Sequence, residues 1–305
     1  MLDNVSLDQL RVFIAAADAG SFSAAGRRLH RAQSVVSQTI ANLEGQLGVK
    51  LFDRGARTPV LSPAGQALLA EARTVAGGMD LFKARAKGLA GGLEPELSVV
   101  VDVMFSMTVL TCAVAAFQAE FPMTPLRLYV EALGAVIQPV LDGRCSLGVM
   151  GPLSIDHPQC TRERLPPIDM LMVAARQHPL ASHAGPIPVA ALAEHVQLVL
   201  TDRSDLSAGR DFGVFSPRTW RLSDLGAKHA FLRAGLGWGG MPLETILADL
   251  DAGTLVPLVI QDPMPQMAAM PMSAIYRTDS PPGPAGRWLI ERLKLAPRPE
   301  GIATS

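Results

Sequence analysis

"SFSAAGRRLHRAQSVVSQTIANLEGQLGVKLFDR", Ser21 to Arg54, is the stretch whose reading decides the fold of the first third of the chain. Just before it, Ser6 and Gln9 stand at capping-box spacing, where each side chain satisfies the other's backbone N–H. Leu7, Leu10, Phe13, Ile14 and Ala17 then recur at helical steps, giving a first helix with one apolar face that ends at Gly20. Ser23 is positioned to cap a second short helix through Leu29, with Ala24 and Ala25 small enough for close packing. A third helix is predicted from Gln33 to Leu47, burying Val36, Ile40, Leu43 and Leu47. Its opposite face carries Ser34, Ser37, Gln38 and Asn42, whose hydroxyls and amides suit base edges and phosphate oxygens. Gly48 closes it, and "VKLFDRGARTPVLS" alternates like a small hairpin with Arg54 and Arg57 at its tip. Two short helices, a tight turn and a basic wing form the geometry that lays a helix in the DNA major groove.

The run "LDQLRVFIAAADAGSFSAAGRRLHRAQSVVSQTIANLEGQLGVKLFDR…LSPAGQ" resembles the amino-terminal winged helix-turn-helix of LysR-type transcriptional regulators. The likeness is carried by Phe13, Ser21, Phe22, Ala24, Ala25, Gln33, Ser37, Ile40, Leu43, Glu44, Leu47, Gly48, Leu51, Phe52, Arg54 and Gly65 at the family's spacings. Ala32 departs from it, standing where the family has a Ser or Thr hydroxyl at the start of the recognition helix. The missing cap costs about 1 kcal/mol. Expected DNA contacts are Ser23, Gln33, Ser34, Ser37 and Gln38 in the groove, Arg31 at the helix entrance, and Arg54 and Arg57 on phosphate or in the minor groove.

Charge supports a division of labour. Residues 1 to 92 hold 11 Lys and Arg against 7 Asp and Glu, which leaves 16 against 21 for the remainder. A basic first third suits nucleic acid, and an acidic remainder is repelled by it. The opening helix is amphipathic and contains Asp3, Asp8 and Arg11, which is unlike a signal peptide. Leu97 to Phe117 carries only Asp102 as a charge, yet its "VVV" followed by Ser and Thr reads as a buried strand feeding a helix rather than a membrane span. The expected location is the cytoplasm.

From Pro63 the chain changes period. Leu68, Ala72, Val75, Met79, Phe82, Ala86 and Leu89 alternate four- and three-residue steps, an a/d seam that predicts a linker helix pairing with a second copy. The other reading is a surface helix packed on its own domain. Gly77 and Gly78 weaken the helix by about 1 kcal/mol each relative to Ala, and Gly91, Gly92 and Pro95 end it. The division expected is 1–62 winged helix-turn-helix, 63–92 dimerisation helix and 93–305 effector-binding domain. That domain splits into one lobe of about 93–165 and 271–305 and a second of about 166–270.

Beyond residue 93 strand and helix patterns alternate. Strands are expected at "LSVVVDV", "LRLYVEA", "SLGVMG", "DMLMVAA", "VQLVLTD", "GWGGMP", "LVPLVI" and "MSAIYRTD". Helices are expected near Met107–Glu120, Ala135–Leu141, Val189–Glu194, Leu225–Ala234 and Ala285–Leu293. The βαβ order implies a parallel sheet. Two such lobes resemble the periplasmic-binding-protein-like effector domain of the same regulators, where "LMVAARQHPLA", "AGLGWGGMP" and "LVPL" have counterparts. The fold class is thus α+β multidomain. Ligands of open α/β sheets bind beyond the carboxyl ends of strands. With the resemblance, that rule points to Met104, Phe105, Ser106 and Met107, to Leu133 and Gly134, and across the cleft to Thr201 and Asp202. Asp102 nearby is unfavourable for an anionic effector and leaves a neutral or cationic one open.

Other chemistries find little support. Gly235, Gly237 and Gly240 spell G-x-G-x-x-G, but a helix precedes them and Met241-Pro242 follows, the reverse of a dinucleotide loop. Cys112, Cys145 and Cys160 form no close pair, although thiol sensing through Cys145 and Cys160, flanked by Arg144 and Arg162, is an alternative. The six histidines are scattered, and no metal, cofactor or catalytic group is expected. The reading is a DNA-binding regulator modulated by a small molecule, against two alternatives: a stand-alone binding protein, or an enzyme using the Gly235 region. The resemblance further implies an imperfectly palindromic duplex, self-association as a homodimer or homotetramer, and RNA polymerase as partners.

Overall fold

The computed structural model describes residues 5–53, 59–151, 157–201, 213–261 and 268–295. It forms two compact units, Met1–Gly91 and Gly92–Ser305.

The first unit is built from helices α1 (Leu7–Ala19), α2 (Phe22–Leu29) and α3 (Gln33–Leu47). Strands β1 (Phe52–Asp53) and β2 (Val60–Leu61) and the long helix α4 (Pro63–Ala90) follow. The capping box is present, with the Ser6 N–H donating to Gln9 Oε1 at 2.7 Å and the Gln9 N–H to Ser6 Oγ at 3.2 Å. The second helix is capped by Ser21, whose Oγ accepts from Ala24 N–H at 3.2 Å, and Ser23 instead lies inside the helix. Ser21 is the extended residue, and only an extended residue turns its hydroxyl back on the first turn. Val12, Phe13, Ala25, Val36, Ile40, Leu43 and Leu51 form the core, and Phe52 meets Phe13 and Phe22 edge-on at 5.8 and 5.2 Å. The wing is anchored by Glu44: its buried carboxylate accepts the N–H groups of Leu51 at 2.8 Å and Phe52 at 3.1 Å. Gly65 is required here, because a Cβ at that position would lie 2.1 Å from the Leu51 carbonyl oxygen.

Helix α4 begins with Ser62 as cap and Pro63 in the first turn. Its first half packs on its own unit, which corrects part of the seam: Ala72 is buried and Leu68 half-buried in the core that holds Phe13 and Val36. Arg73 pairs with Asp18 at 2.6 Å, and Asp80 pairs with Arg11. The remaining seam positions are exposed, Val75 at 56%, Phe82 at 68% and Leu89 at 42%, while Ala76 beside them is buried.

In the second unit β3 (Leu97–Asp102), α5 (Met107–Glu120), β4 (Leu126–Glu131), α6 (Ile137–Leu141) and β5 (Leu147–Met150) come first. A long β6 (Cys160–Ala175) leads to α7 (Val189–Ala193), β7 (Gln197–Leu200), β8 (Thr219–Leu222), α8 (Leu225–Arg233), β9 (Trp238–Pro242) and α9 (Leu243–Asp251). The chain closes with β10 (Leu255–Pro257), β11 (Ala269–Arg277) and α10 (Pro284–Lys294). Eight strands run in the order β4-β3-β5-β11-β6-β9-β7-β8, and β10 adds to β6. The sheet is mixed rather than parallel. β3 is parallel to β4 and β5, and β7 to β8 and β9, but β6 and β11 run antiparallel to each other and to their outer neighbours. Each half of the sheet is therefore a βαβ unit, and the two are sewn together by a pair of returning strands.

The strand expected at "DMLMVAA" begins earlier, at Cys160, and takes in "RLPPIDM". β6 runs through Pro166 and Pro167 without a break, because the facing strand β11 shifts register between Met270 and Met272, across Pro271. A bulge is where a strand tolerates residues that donate no ladder bond.

Glu163 on β6 ties the sheet to α10. Its carboxylate accepts from Tyr276 Oη at 2.8 Å, from Lys294 Nζ at 2.7 Å and from Arg287. Burial pushes its carboxyl up, but the bonds to Lys294, Arg287 and Tyr276 outweigh that and hold it at about 2. The unfolded chain binds this proton near 4.5 and the folded one only near 2, so the stabilisation is complete above pH 4.5 and lost as pH falls toward 2. With solvent screening of the half-exposed partners it amounts to about 1 to 2 kcal/mol. In urea unfolding, Glu163→Gln is expected to be less stable than the parent at pH 6, with the gap narrowing at pH 3 and closing only toward pH 2. A gap that does not change with pH would show that the charge is not what matters.

Candidate nucleic-acid interface and effector site

Helix α3 spans Gln33–Leu47, with Val36, Ile40 and Leu43 turned into the core. The outward face presents Gln33, Ser34, Gln38 and Asn42 to solvent, with Ser37 half-buried beside them. Gln38 Nε2 donates to Asn42 Oδ1 at 2.9 Å, so the amide is oriented along the helix. Ala32 occupies the cap position and supplies no side-chain bond, leaving the first-turn N–H groups of α3 without a hydroxyl partner from it.

Two expected contacts have other engagements. Arg31 grips Asp8 with both Nη atoms, at 2.7 and 2.8 Å, which draws the Asp8 carboxyl below its ordinary value and raises the guanidinium. It clamps α1 to the turn that aims α3, aided by the left-handed backbone of His30 at φ 54°. Ser23 is exposed and accepts from Arg27 Nη1 at 3.1 Å. Arg54 and Arg57 lie outside the described residues.

At the other candidate site, β3 ends at Asp102, a buried carboxylate. Its Oδ1 accepts the Met104 N–H at 2.8 Å and its Oδ2 the Leu133 N–H at 3.2 Å. One side chain thus fixes both loops expected to line the site, and Leu133 is held at φ 48° in the process. Met104 and Phe105 are buried, Gly134 is buried, and Met107 is 51% exposed. Ser106 caps α5 by accepting the Val109 N–H at 3.1 Å. Thr201 follows β7 in the other half of the sheet and donates its N–H to the Leu222 carbonyl at 2.8 Å. Asp202 lies outside the described residues. Sequence reasoning missed Glu244, at the start of α9, which reaches Ser106 and Thr108 from 138 and 136 residues away. No local signal announces such a contact.

The residues behind the other readings can be placed as well. Gly235, at φ 74°, follows α8 and turns the chain into β9, so the glycines connect helix to strand. The stretch 97 to 117 is β3 followed by α5, and among the described residues no helix is long and apolar enough to cross a membrane. Burial pushes the thiols of Cys145 and Cys160 up, away from the reactive thiolate. Among the described residues no group of three His, Cys, Asp or Glu is placed to hold a metal ion.

A winged reading helix followed by a two-halved α/β binding unit defines a ligand-responsive DNA-binding regulator, and comparison with known proteins identifies it further. Residues 7–66 match the bacterial regulatory helix-turn-helix protein of the lysR family, and residues 90–296 match the LysR substrate binding domain. The chain belongs to the LysR family: it is a DNA-binding transcriptional regulator with an effector-binding domain. It is similar to the HTH-type transcriptional regulator AceR of Acinetobacter baumannii, 29% identical over 95% of this chain and 97% of the relative. It is also similar to the regulator PunR of Escherichia coli, 30% identical over 93% of this chain and 91% of the relative. Among solved structures, an OxyR C206 mutant of Corynebacterium glutamicum aligns over 95% of this chain and 92% of its own, at 25% identity and a TM-score of 0.54. The LysR family regulator CbnR, at 24% identity and a TM-score of 0.58, covers 95% of this chain and all of its own and shares the fold.

Proposed function

We propose that the protein acts as a homodimer or a dimer of dimers that sets two copies of α3 in successive major grooves of an imperfectly palindromic operator. A small molecule held by the loops after β3, β4 and β7 shifts its hold on DNA. Gln33, Ser34, Ser37 and Gln38 face base edges, with Ser23 beside them, while Arg54 and Arg57 meet phosphate or the minor groove. Arg31 contributes through its clamp on Asp8 as well as through charge. Val75, Met79, Phe82, Ala86 and Leu89 form the self-association seam, RNA polymerase is the further partner, and the cytoplasm is the place of action. The observation that carries this reading is the outward face of α3, polar and exposed over two turns while the same helix buries Val36, Ile40 and Leu43.

Binding to a duplex operator is expected to weaken steeply with salt, as competing ions repopulate the phosphates. Gln38→Ala is expected to lose about 1 to 3 kcal/mol of discrimination at the base it reads. Arg57→Ala should weaken all duplexes alike. Competition binding against operator variants at fixed ionic strength separates the two effects. Unchanged sequence preference in Gln38→Ala would remove α3 from the groove.

A further inference from the structure

We propose that Val35 and Asn42 complete the reading face of α3, an inference that rests on the proposed seating of that helix in the major groove. Asn42 holds Gln38 to an adenine, and Val35 packs on the methyl group of a thymine at the neighbouring base pair. α3 lacks the side chains that read G·C pairs. Between Gln33 and Leu47 there is no Lys or Arg, the residues that take the two acceptors of guanine, N7 and O6. The one acid, Glu44, could accept from cytosine, but it is buried with its carboxylate on the Leu51 and Phe52 N–H groups.

Gln38 and Asn42 stand one turn apart on the exposed face, and Gln38 Nε2 donates to Asn42 Oδ1 at 2.9 Å. A glutamine amide has two N–H donors and one acceptor oxygen. With one donor spent on Asn42, Gln38 keeps one N–H and its Oε1, the match for the N7 acceptor and N6–H donor of adenine. Guanine presents acceptors at both places and would set its O6 against Gln38 Oε1. A free glutamine escapes by turning its NH2 group toward both acceptors, and the bond to Asn42 forbids that turn. Asn42 is thus a positioning residue. Val35 is 47% exposed on the same side of the helix, three residues before Gln38. Steps of three residues along a reading helix fall on successive base pairs. The valine side chain has no hydrogen bond to give, and its apolar partner in the groove is the C5 methyl group of thymine. Thr39, between the two, spends its hydroxyl proton on the Val35 carbonyl at 2.8 Å and so holds the helix rather than a base. The core of each half-site is therefore an adenine with a thymine one base pair away.

The test uses the full-length protein and the duplexes it selects from a pool with a randomised central region. The parent is expected to select an adenine and an adjacent thymine in each half-site. Exchanging that adenine for guanine is expected to weaken the parent about tenfold and Asn42→Ala only about twofold. Asn42→Asp keeps the acceptor, so it should discriminate as the parent does even though its charge weakens every duplex. Deoxyuridine in place of the thymine removes the methyl group and nothing else. It should cost the parent about fourfold and Val35→Ala nothing. Selection of guanine by the parent at the position that depends on Gln38, parent-like discrimination in Asn42→Ala, or an equal response of parent and Val35→Ala to deoxyuridine overturns the proposal. The seating of α3 is tested separately by Gln38→Ala. If that variant changes the selected sequence while Asn42→Ala and Val35→Ala do not, this proposal alone falls, whereas a selection unchanged in all three takes α3 out of the groove.

Discussion

A full-length variant carrying Val75→Glu and Phe82→Glu is expected to sediment as a monomer and to lose operator affinity by about 10² to 10⁴-fold. The two residues lie seven apart on the outward side of α4 and are 56% and 68% exposed in the single chain. Fully burying such side chains is worth about 1.5 to 3 kcal/mol each, and introduced glutamates would face their own copies across a two-fold axis. On the proposed dimeric reading, a single winged unit with modest positive charge would bind weakly and the tight complex would depend on linking two of them. Neither position contributes to the core of the first unit, so circular dichroism should be unchanged. A variant that sediments as a dimer would place the primary self-contact away from α4.

The second large effect is expected at Lys228, on α8. The side chain is buried, and its Nζ donates to the Gly240 carbonyl at 2.7 Å, its acceptor among the described residues. Desolvation draws the ammonium down to about 8 from 10.5. Between those values the unfolded chain holds the proton and the folded chain has released it, so stability rises with pH across that window. The gain is about 3 kcal/mol from pH 8 to beyond 10. Lys228→Met is expected to be more stable than the parent at pH 7 by about 1 to 2 kcal/mol, since removal of an uncompensated buried charge outweighs the unpaired Gly240 carbonyl. The difference between parent and variant in urea unfolding at pH 7, 8, 9 and 10 isolates this group from other lysines. A constant difference over that range would mean that the amine does not titrate there.

Where cause and effect lie within a few residues, the sequence was sufficient. Ser6 with Gln9, the Gln33–Leu47 helix and the start of a helix at Pro63 all follow from capping-box residues, helical spacing and proline, and each is present. The elements overlooked lack such signals. α9 opens at Pro242 with no side-chain cap, and β8 is a four-residue edge strand whose Trp220 and Arg221 face outward. The displaced cap at Ser21 shows that two serines two residues apart cannot be ranked by identity, because backbone conformation decides between them. Leu68 and Ala72 fit a heptad as well as they fit packing on α1, and only the tertiary structure separates the halves of that helix. Glu244 lies at the far end of this scale, since its partners become neighbours only after the second half of the sheet has closed on the first.

The strand pair β6 and β11 has a consequence for biosynthesis. The half of the sheet begun by β3 at Leu97 is completed by β11, which ends at Arg277, and by α10 after it. A nascent chain emerging in order leaves the edges of β5 and of the first half of β6 without their partner until some hundred further residues have been made. The amino-terminal unit has no such dependence, since all its elements lie before Gly91. On the ribosome the DNA reader is therefore finished early, while the ligand receiver waits for almost the last segment. A message truncated before Ala269 would yield a competent reader attached to an open, aggregation-prone sheet edge.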